Sequence, residues 1–194
     1  EGGEWVSVFE LEEPRVMAGA FDGDRAILVS SHVGGDSGTS TPIGTIQIYE
    51  RTDGQWVEVA SVSTDETTHE KYSTFGAGGG VAIDGHRIAV VEHSLSPRIH
   101  VFDRVALQMR QTAVLEAPVS VPGATFGSAI ALHEDVLAVG ASGAPGGVFV
   151  FQRTLDGDWN ATGFIQASNA AEMYHEDHQV SGFGNALALH GNWL

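Results

Sequence analysis

The 194-residue sequence contains no cysteine, which excludes a disulfide framework and thiolate metal sites while leaving the compartment open. Cations are also scarce. Nine Lys and Arg stand against 25 Asp and Glu, a formal net charge of −16, so no cationic patch is available for a nucleic-acid backbone or an anionic membrane. No apolar run approaches the roughly 18 to 20 residues of a spanning helix, so no membrane insertion is expected. The opening Glu1-Gly2-Gly3-Glu4 lacks the basic start of a signal peptide, and any export signal is expected to have been removed or to lie outside this sequence. There is no Gly-x-Ser-x-Gly elbow, P-loop or dinucleotide fingerprint, and with them goes the usual support for an enzyme. Proline is low at 6 residues and glycine high at 25, a balance that suits short strands joined by tight turns and suits long helices badly.

What the sequence does contain is an internal repeat, and a repeat governs the fold. Trp5, Trp56 and Trp159 each open a similar ten-residue stretch, and Met109 opens the remaining one, giving spacings of 51, 53 and 50 residues. Ahead of the last three anchors comes an aromatic with arginine two places on: Tyr49 and Arg51, Phe102 and Arg104, Phe151 and Arg153. Further upstream are paired apolar runs split by a polar turn, AFDGDRAILVS, AIDGHRIAVVE and ALHEDVLAVGA, with ALHGNWL at the end. Phe-Gly precedes the later three, at Phe75-Gly76, Phe126-Gly127 and Phe183-Gly184.

Each period reads as four short strands, A to D. Strand A follows Phe-Gly, as in Ser128 to Leu132, and pairs with strand B, Val136 to Ala141, across His133-Glu134-Asp135. Strand C ends at the aromatic and is joined to strand D, at the Trp, by turns such as Thr52-Asp53-Gly54 and Leu155-Asp156-Gly157. Strands A and B alternate only weakly, so both faces of each sheet are expected to be covered, as they are when sheets stack radially. The fold class is therefore all-β, a β-propeller of four-stranded antiparallel blades of about 50 residues.

These phased elements, Phe-Gly, Asp-Gly-Asp, aromatic-x-Arg and Asp-Gly-x-Trp, resemble the FG-GAP repeat of integrin α-subunit propellers and of many bacterial and algal surface proteins. The resemblance covers nearly the whole chain as a single segment. It spans the end of one blade at 1–14, complete blades at 15–65, 75–118 and 126–168, and the start of another at 183–194. Since a closed ring needs at least about four blades, either a longer parent chain or a partner chain is expected to supply the rest. Two departures stand out: Arg15-Val16 replaces Phe-Gly in the first full repeat, and Phe75-Gly76 sits two residues early, before Gly78-Gly79-Gly80. The family implies an extracellular or cell-surface location. It also raises calcium as a cofactor, through an Asp-x-Asp-x-Asp-Gly loop that no blade here contains. Asp22-Gly23-Asp24 comes nearest, in a position that turn geometry explains, and otherwise no cofactor is expected.

Alternating strand direction puts the A–B and C–D turns on one rim and the B–C and D–A loops on the other. The second rim carries the length variation, in loops 32–43, 64–74 and 169–182, and is the expected contact surface for a protein or glycan partner. Its binding candidates are Asp36, Asp65, Glu66, His69, Glu70, His175, Glu176, Asp177 and His178. His175, Asp177 and His178 are candidate metal ligands by residue type alone, since their spacing is not that of a zinc helix and a solvated polar loop is the favoured reading. His86, His133 and His190 recur beside the A–B turn, through a shared titratable role or through repeat descent alone. Arg51, Arg104 and Arg153 read as structural, bonding a neighbouring turn or carboxylate. Asn160-Ala161-Thr162 is an N-glycosylation sequon at the start of an outer strand. The function expected is a non-enzymatic binding or adhesion module. The alternatives are a self-assembling subunit of a filament, sheath or appendage, and a propeller-type hydrolase or lyase.

Overall fold

A computed structural model describes residues 16–34, 41–63, 74–76, 80–106, 108–120, 123–143, 146–168 and 182–191. Among these residues the chain is all-β, with strands only and no helix. The first sheet is β1 (Val16–Asp22), β2 (Arg25–Gly34), β3 (Thr41–Thr52) and β4 (Gln55–Ser63), paired in that order. In the second, β5 (Thr74–Phe75) and β6 (Val81–Asp84) share the strand-A position beside β7 (Arg87–His93), followed by β8 (Arg98–Val105) and β9 (Gln108–Leu115). The third is β10 (Ala124–His133), β11 (Val136–Gly143), β12 (Gly147–Arg153) and β13 (Trp159–Ile165). Every neighbouring pair is antiparallel, so each sheet is an A-B-C-D meander, as the repeat predicts.

Strand A begins earlier than expected, because Phe-Gly lies inside it. Phe126 pairs with Ala141, and pairing resumes with Ile130 opposite Val139, so residues 127–129 bulge against Gly140 alone. The second sheet widens the same device. Phe75 pairs with Glu92 and Val81 with Val90, which leaves Val91 between the two pairings, facing Gly76 and Gly80. Both polar groups of Val91 remain satisfied: its carbonyl accepts from the Gly76 N–H at 2.8 Å, and its own N–H donates to Gly80 O at 2.7 Å. The two-residue displacement of Phe75-Gly76 is thus absorbed locally, and the downstream register is kept.

The glycine of Phe-Gly is the seat by which each sheet rests on the one before. Gly127 has φ +83°, and a Cβ there would lie 2.6 Å from Val91 Cγ1 on β7. Gly76 has φ +69° and stands in the same relation to Val29 on β2, at 2.7 Å. Both the left-handed backbone and the close approach require glycine. Val29, Val91 and Gly140 are each the fifth residue of strand B, and Gly184, also with positive φ, lies against Gly140. A second shared feature is a bulge in strand D opposite the aromatic of strand C, at Val59, Thr112 and Thr162. The turn Asp53-Gly54 has φ 52° and 81°, the twist-matched hairpin geometry that Asp-Gly predicts.

Sheet packing explains the weak alternation. Ile27, Val29, Ile46 and Ile48 of the first sheet meet Val81, Ile88, Val90 and Phe102 of the second. The opposite face of the second sheet, with Ala89, Val91, Ile99 and Val101, meets Phe126, Leu137, Val139 and Phe149 of the third. The second sheet is therefore covered on both sides, and β7 is buried without interruption from Arg87 to Glu92. Strand D of each sheet stays largely exposed at the edge, as the pattern of β13 shows. Trp159 packs against the core between the second and third sheets, with the Arg87 guanidinium 5.5 Å from its ring centroid.

Candidate functional site

The two ends of the meanders differ in what their polar groups do. At the A–B end these groups join one sheet to the next. Asp22 Oδ2 accepts from the Gly85 N–H at 2.7 Å while Arg25 Nη1 donates to Gly85 O at 2.5 Å. One repeat later Asp84 accepts from the Glu134 N–H, and Arg87 Nη1 donates to Glu134 O at 2.6 Å. An Asp-x-x-Arg hairpin thus grips both backbone groups of the first turn residue in the following sheet. Arg104 also crosses a joint, to Glu50, and Arg153 lies 3.8 Å from Asp135 in its own sheet, while Arg51 is exposed. At the third joint His133 and Val136 stand where Asp and Arg would be. There His133 meets the His190 ring at 5.3 Å, and Ser128 Oγ donates to Gly184 O at 2.9 Å. His86 is exposed beside its turn.

Arg87 is buried and bound on several sides, donating from Nε to Asp103 Oδ1 at 2.8 Å as well as to the Glu134 turn. Asp103 also accepts from Thr112 Oγ1 at 2.8 Å. Burial alone would raise its pKa. The Thr112 hydroxyl, the Arg87 hydrogen bond and the charges of Arg87 and Arg153 outweigh that and hold the carboxyl below its ordinary value.

Toward the other end the second sheet buries a polar cluster. Glu92 has no exposed surface; its carboxylate takes Arg98 Nε at 3.2 Å and lies 2.8 Å from His100 Nε2. His100 Nδ1 lies 2.9 Å from Gln111 Oε1. Register identifies the same positions in the third sheet. Glu92 pairs with Arg98 as Ala141 pairs with Gly147, Val90 with His100 as Val139 with Phe149, and Phe102 with Gln111 as Phe151 with Ala161. Four polar side chains in one sheet are replaced by Ala, Gly, Phe and Ala in the next.

A cleft of about 460 Å³ opens where that replacement occurs, between the second and third sheets at the B–C and D–A end. Its floor is Phe126, Ala141 and Phe149, the two rings packed edge to face at 5.7 Å. Ser94, Leu95 and Pro97 of one B–C connection form one wall, and Ala117, Val119 and Ser120 of the following D–A connection form another. Leu95 is 93% exposed and Val119 58%, two apolar side chains held in water at the mouth. Among the described residues that line it none is charged. Ser94, Ser120 and Thr125 add hydroxyls to this apolar lining, so the cleft offers both hydrocarbon and hydrogen-bonding surface.

The nine binding candidates read from the sequence, Asp36, Asp65, Glu66, His69, Glu70, His175, Glu176, Asp177 and His178, lie outside the described residues. Asn160 is exposed on β13, paired with Gln152 at the sheet edge. Among the described residues, no group of three or more His, Asp or Glu is arranged to hold a metal ion. Sequence reasoning missed the Glu92 cluster, although Glu92 interrupting an apolar run and His100 alternating with Ile99 and Val101 were available signals. It missed the cleft as well. No protein-family model matches this chain, and no curated protein matches it.

Proposed function

We propose that this chain is a segment of an extracellular or cell-surface β-propeller, resembling the FG-GAP kind, and that it works as a non-enzymatic binding or adhesion module. Three A-B-C-D meanders packed face to face and seated through phased glycines support the propeller reading, since radial stacking repeats one joint around an axis. The observation that carries the binding reading is the contrast between the rims. Polar groups at the A–B end are engaged in joining sheets, whereas the B–C and D–A end holds a cleft flanked by exposed Leu95 and Val119. Variable connections on a rigid scaffold are where recognition resides.

The test is retention of partner from the native source on immobilised protein, comparing wild type, Leu95→Asp with Val119→Asp, and Asp156→Ala in the C–D turn of the other rim. The first variant is expected to shed the partner and the second to keep it. Equal retention by all three sinks the assignment of this rim.

A further inference from the structure

Resting on the rim reading above, we infer that the cleft between the second and third sheets receives an apolar side chain of a partner polypeptide, flanked in that polypeptide by Lys or Arg. The apolar half of this inference comes from the repeat itself. At the matching positions the second sheet fills its face with Glu92, Arg98, His100 and Gln111, which bond one another. The third sheet has Ala141 and Gly147 in place of Glu92 and Arg98, and Phe149 in place of His100. The Phe164 ring covers Gly147. The ionic side chains of the second sheet have no counterpart here beyond the hydroxyls of Ser94, Ser120 and Thr125, so a charged group entering would lose water without an ionic partner among the described residues. An apolar side chain entering leaves water at no desolvation cost and covers the exposed Leu95 and Val119 above the buried rings of Phe126 and Phe149.

The cationic half comes from charge. The chain carries −16, and Glu116, exposed and adjacent to the cleft residue Ala117, contributes at the mouth. A segment with Lys or Arg on either side of its apolar anchor is drawn toward this surface and a segment with Asp or Glu is repelled, while the uncharged cleft leaves the anchor itself indifferent to salt. Leu95 and Val119 supply rim contact that shields the seated side chain from water.

The experiment titrates the full 194-residue protein with three capped peptides, Lys-Lys-Phe-Lys-Lys, Lys-Lys-Ser-Lys-Lys and Glu-Glu-Phe-Glu-Glu, and follows backbone amide shifts by NMR. The Lys-flanked Phe peptide is expected to shift Leu95, Ala117 and Val119 with an affinity on the order of tenfold above either other peptide. That preference is expected to fall in Leu95→Ser with Val119→Ser, whose exposed positions leave the core intact, and to weaken with salt. Equal binding of the Ser peptide, equal binding of the Glu-flanked peptide, shifts located elsewhere, or no shift with any peptide each overturns the inference. If that happens while the Leu95→Asp with Val119→Asp protein still sheds its native partner, the rim reading stands and only the occupant is wrong. If that protein sheds nothing, the rim reading itself fails.

Discussion

Gly127 shows how much a single atom matters at a sheet joint. Its backbone is left-handed and an added Cβ would stand 2.6 Å from Val91 Cγ1. Gly127→Ala therefore combines a conformational cost of about 1–2 kcal/mol with overpacking of about 1–3 kcal/mol, and an overall loss of about 2–5 kcal/mol is expected in denaturant unfolding. A double-mutant cycle with Val91→Ala should show favourable coupling, because the two side chains compete for the same space. Asp103 makes the complementary point about charge. Its folded pKa is depressed, so its stabilising contribution is present above the ordinary aspartate value of about 3.9 and is lost as pH falls through the lower folded value. Asp103→Asn is expected to cost about 1–3 kcal/mol at pH 7, by leaving the buried Arg87 short of an anion. The gap to wild type should close below about pH 4. A gap that stays constant down to pH 2 would contradict the assignment.

Among elements, the hairpin between strands A and B does more than turn the chain. Asp22 with Arg25 and Asp84 with Arg87 hold the next sheet through its backbone, so the receiving residue can be Gly85 or Glu134 without changing the grip. The third hairpin lacks both groups. His133→Asp with Val136→Arg is expected to install the missing grip on the His190-Gly191 turn, slowing amide exchange in residues 182–191 and raising stability by about 1 kcal/mol. No change in that exchange would mean that the pair alone does not make the joint. Element order was legible in the sequence because hairpins are local: Asp53-Gly54 and the phased aromatic-x-Arg announce them within a few residues. The start of strand A was not, because Phe126 pairs with Ala141 across a bulge that depends on Val91 in another sheet. The cleft was illegible for a related reason. Leu95, Val119, Phe126 and Phe149 lie in four separate segments, and each taken alone is an ordinary loop or strand residue. Only the pairing register reveals that Ala141 and Gly147 occupy the places of Glu92 and Arg98.

For the whole molecule the decisive quantity is the imbalance of charge. The cations at the joints are few and engaged, Arg25 with Glu50 and Gly85, Arg87 with Asp103 and the Glu134 turn, Arg104 with Glu50. With 9 Lys and Arg for 25 acids, the chain cannot neutralise its own negative charge, and self-repulsion opposes compaction. Raising NaCl from 10 mM to 500 mM shortens the screening length from about 30 Å to a few ångströms. Tm is expected to rise by several degrees, roughly 2–4 °C for each kcal/mol of repulsion removed in a chain of this size. A falling Tm would show that the ion pairs at the joints outweigh the bulk repulsion.

The joint between sheets also has a direction. The Asp-x-x-Arg hairpin reaches forward to the turn of the following sheet, while the Phe-Gly glycine reaches back to the fifth residue of the preceding strand B. The second sheet therefore carries both a forward plug and a backward socket, and the two cannot be exchanged by turning the sheet around. In the terms of inheritance, a DNA segment duplicated in frame at one repeat length would insert a sheet already equipped for both neighbours, whereas an insertion out of phase by a few residues would break both contacts at once. Growth by whole repeats, with later drift at positions such as His133, Val136 and Gly140, is the history that such a polar joint permits.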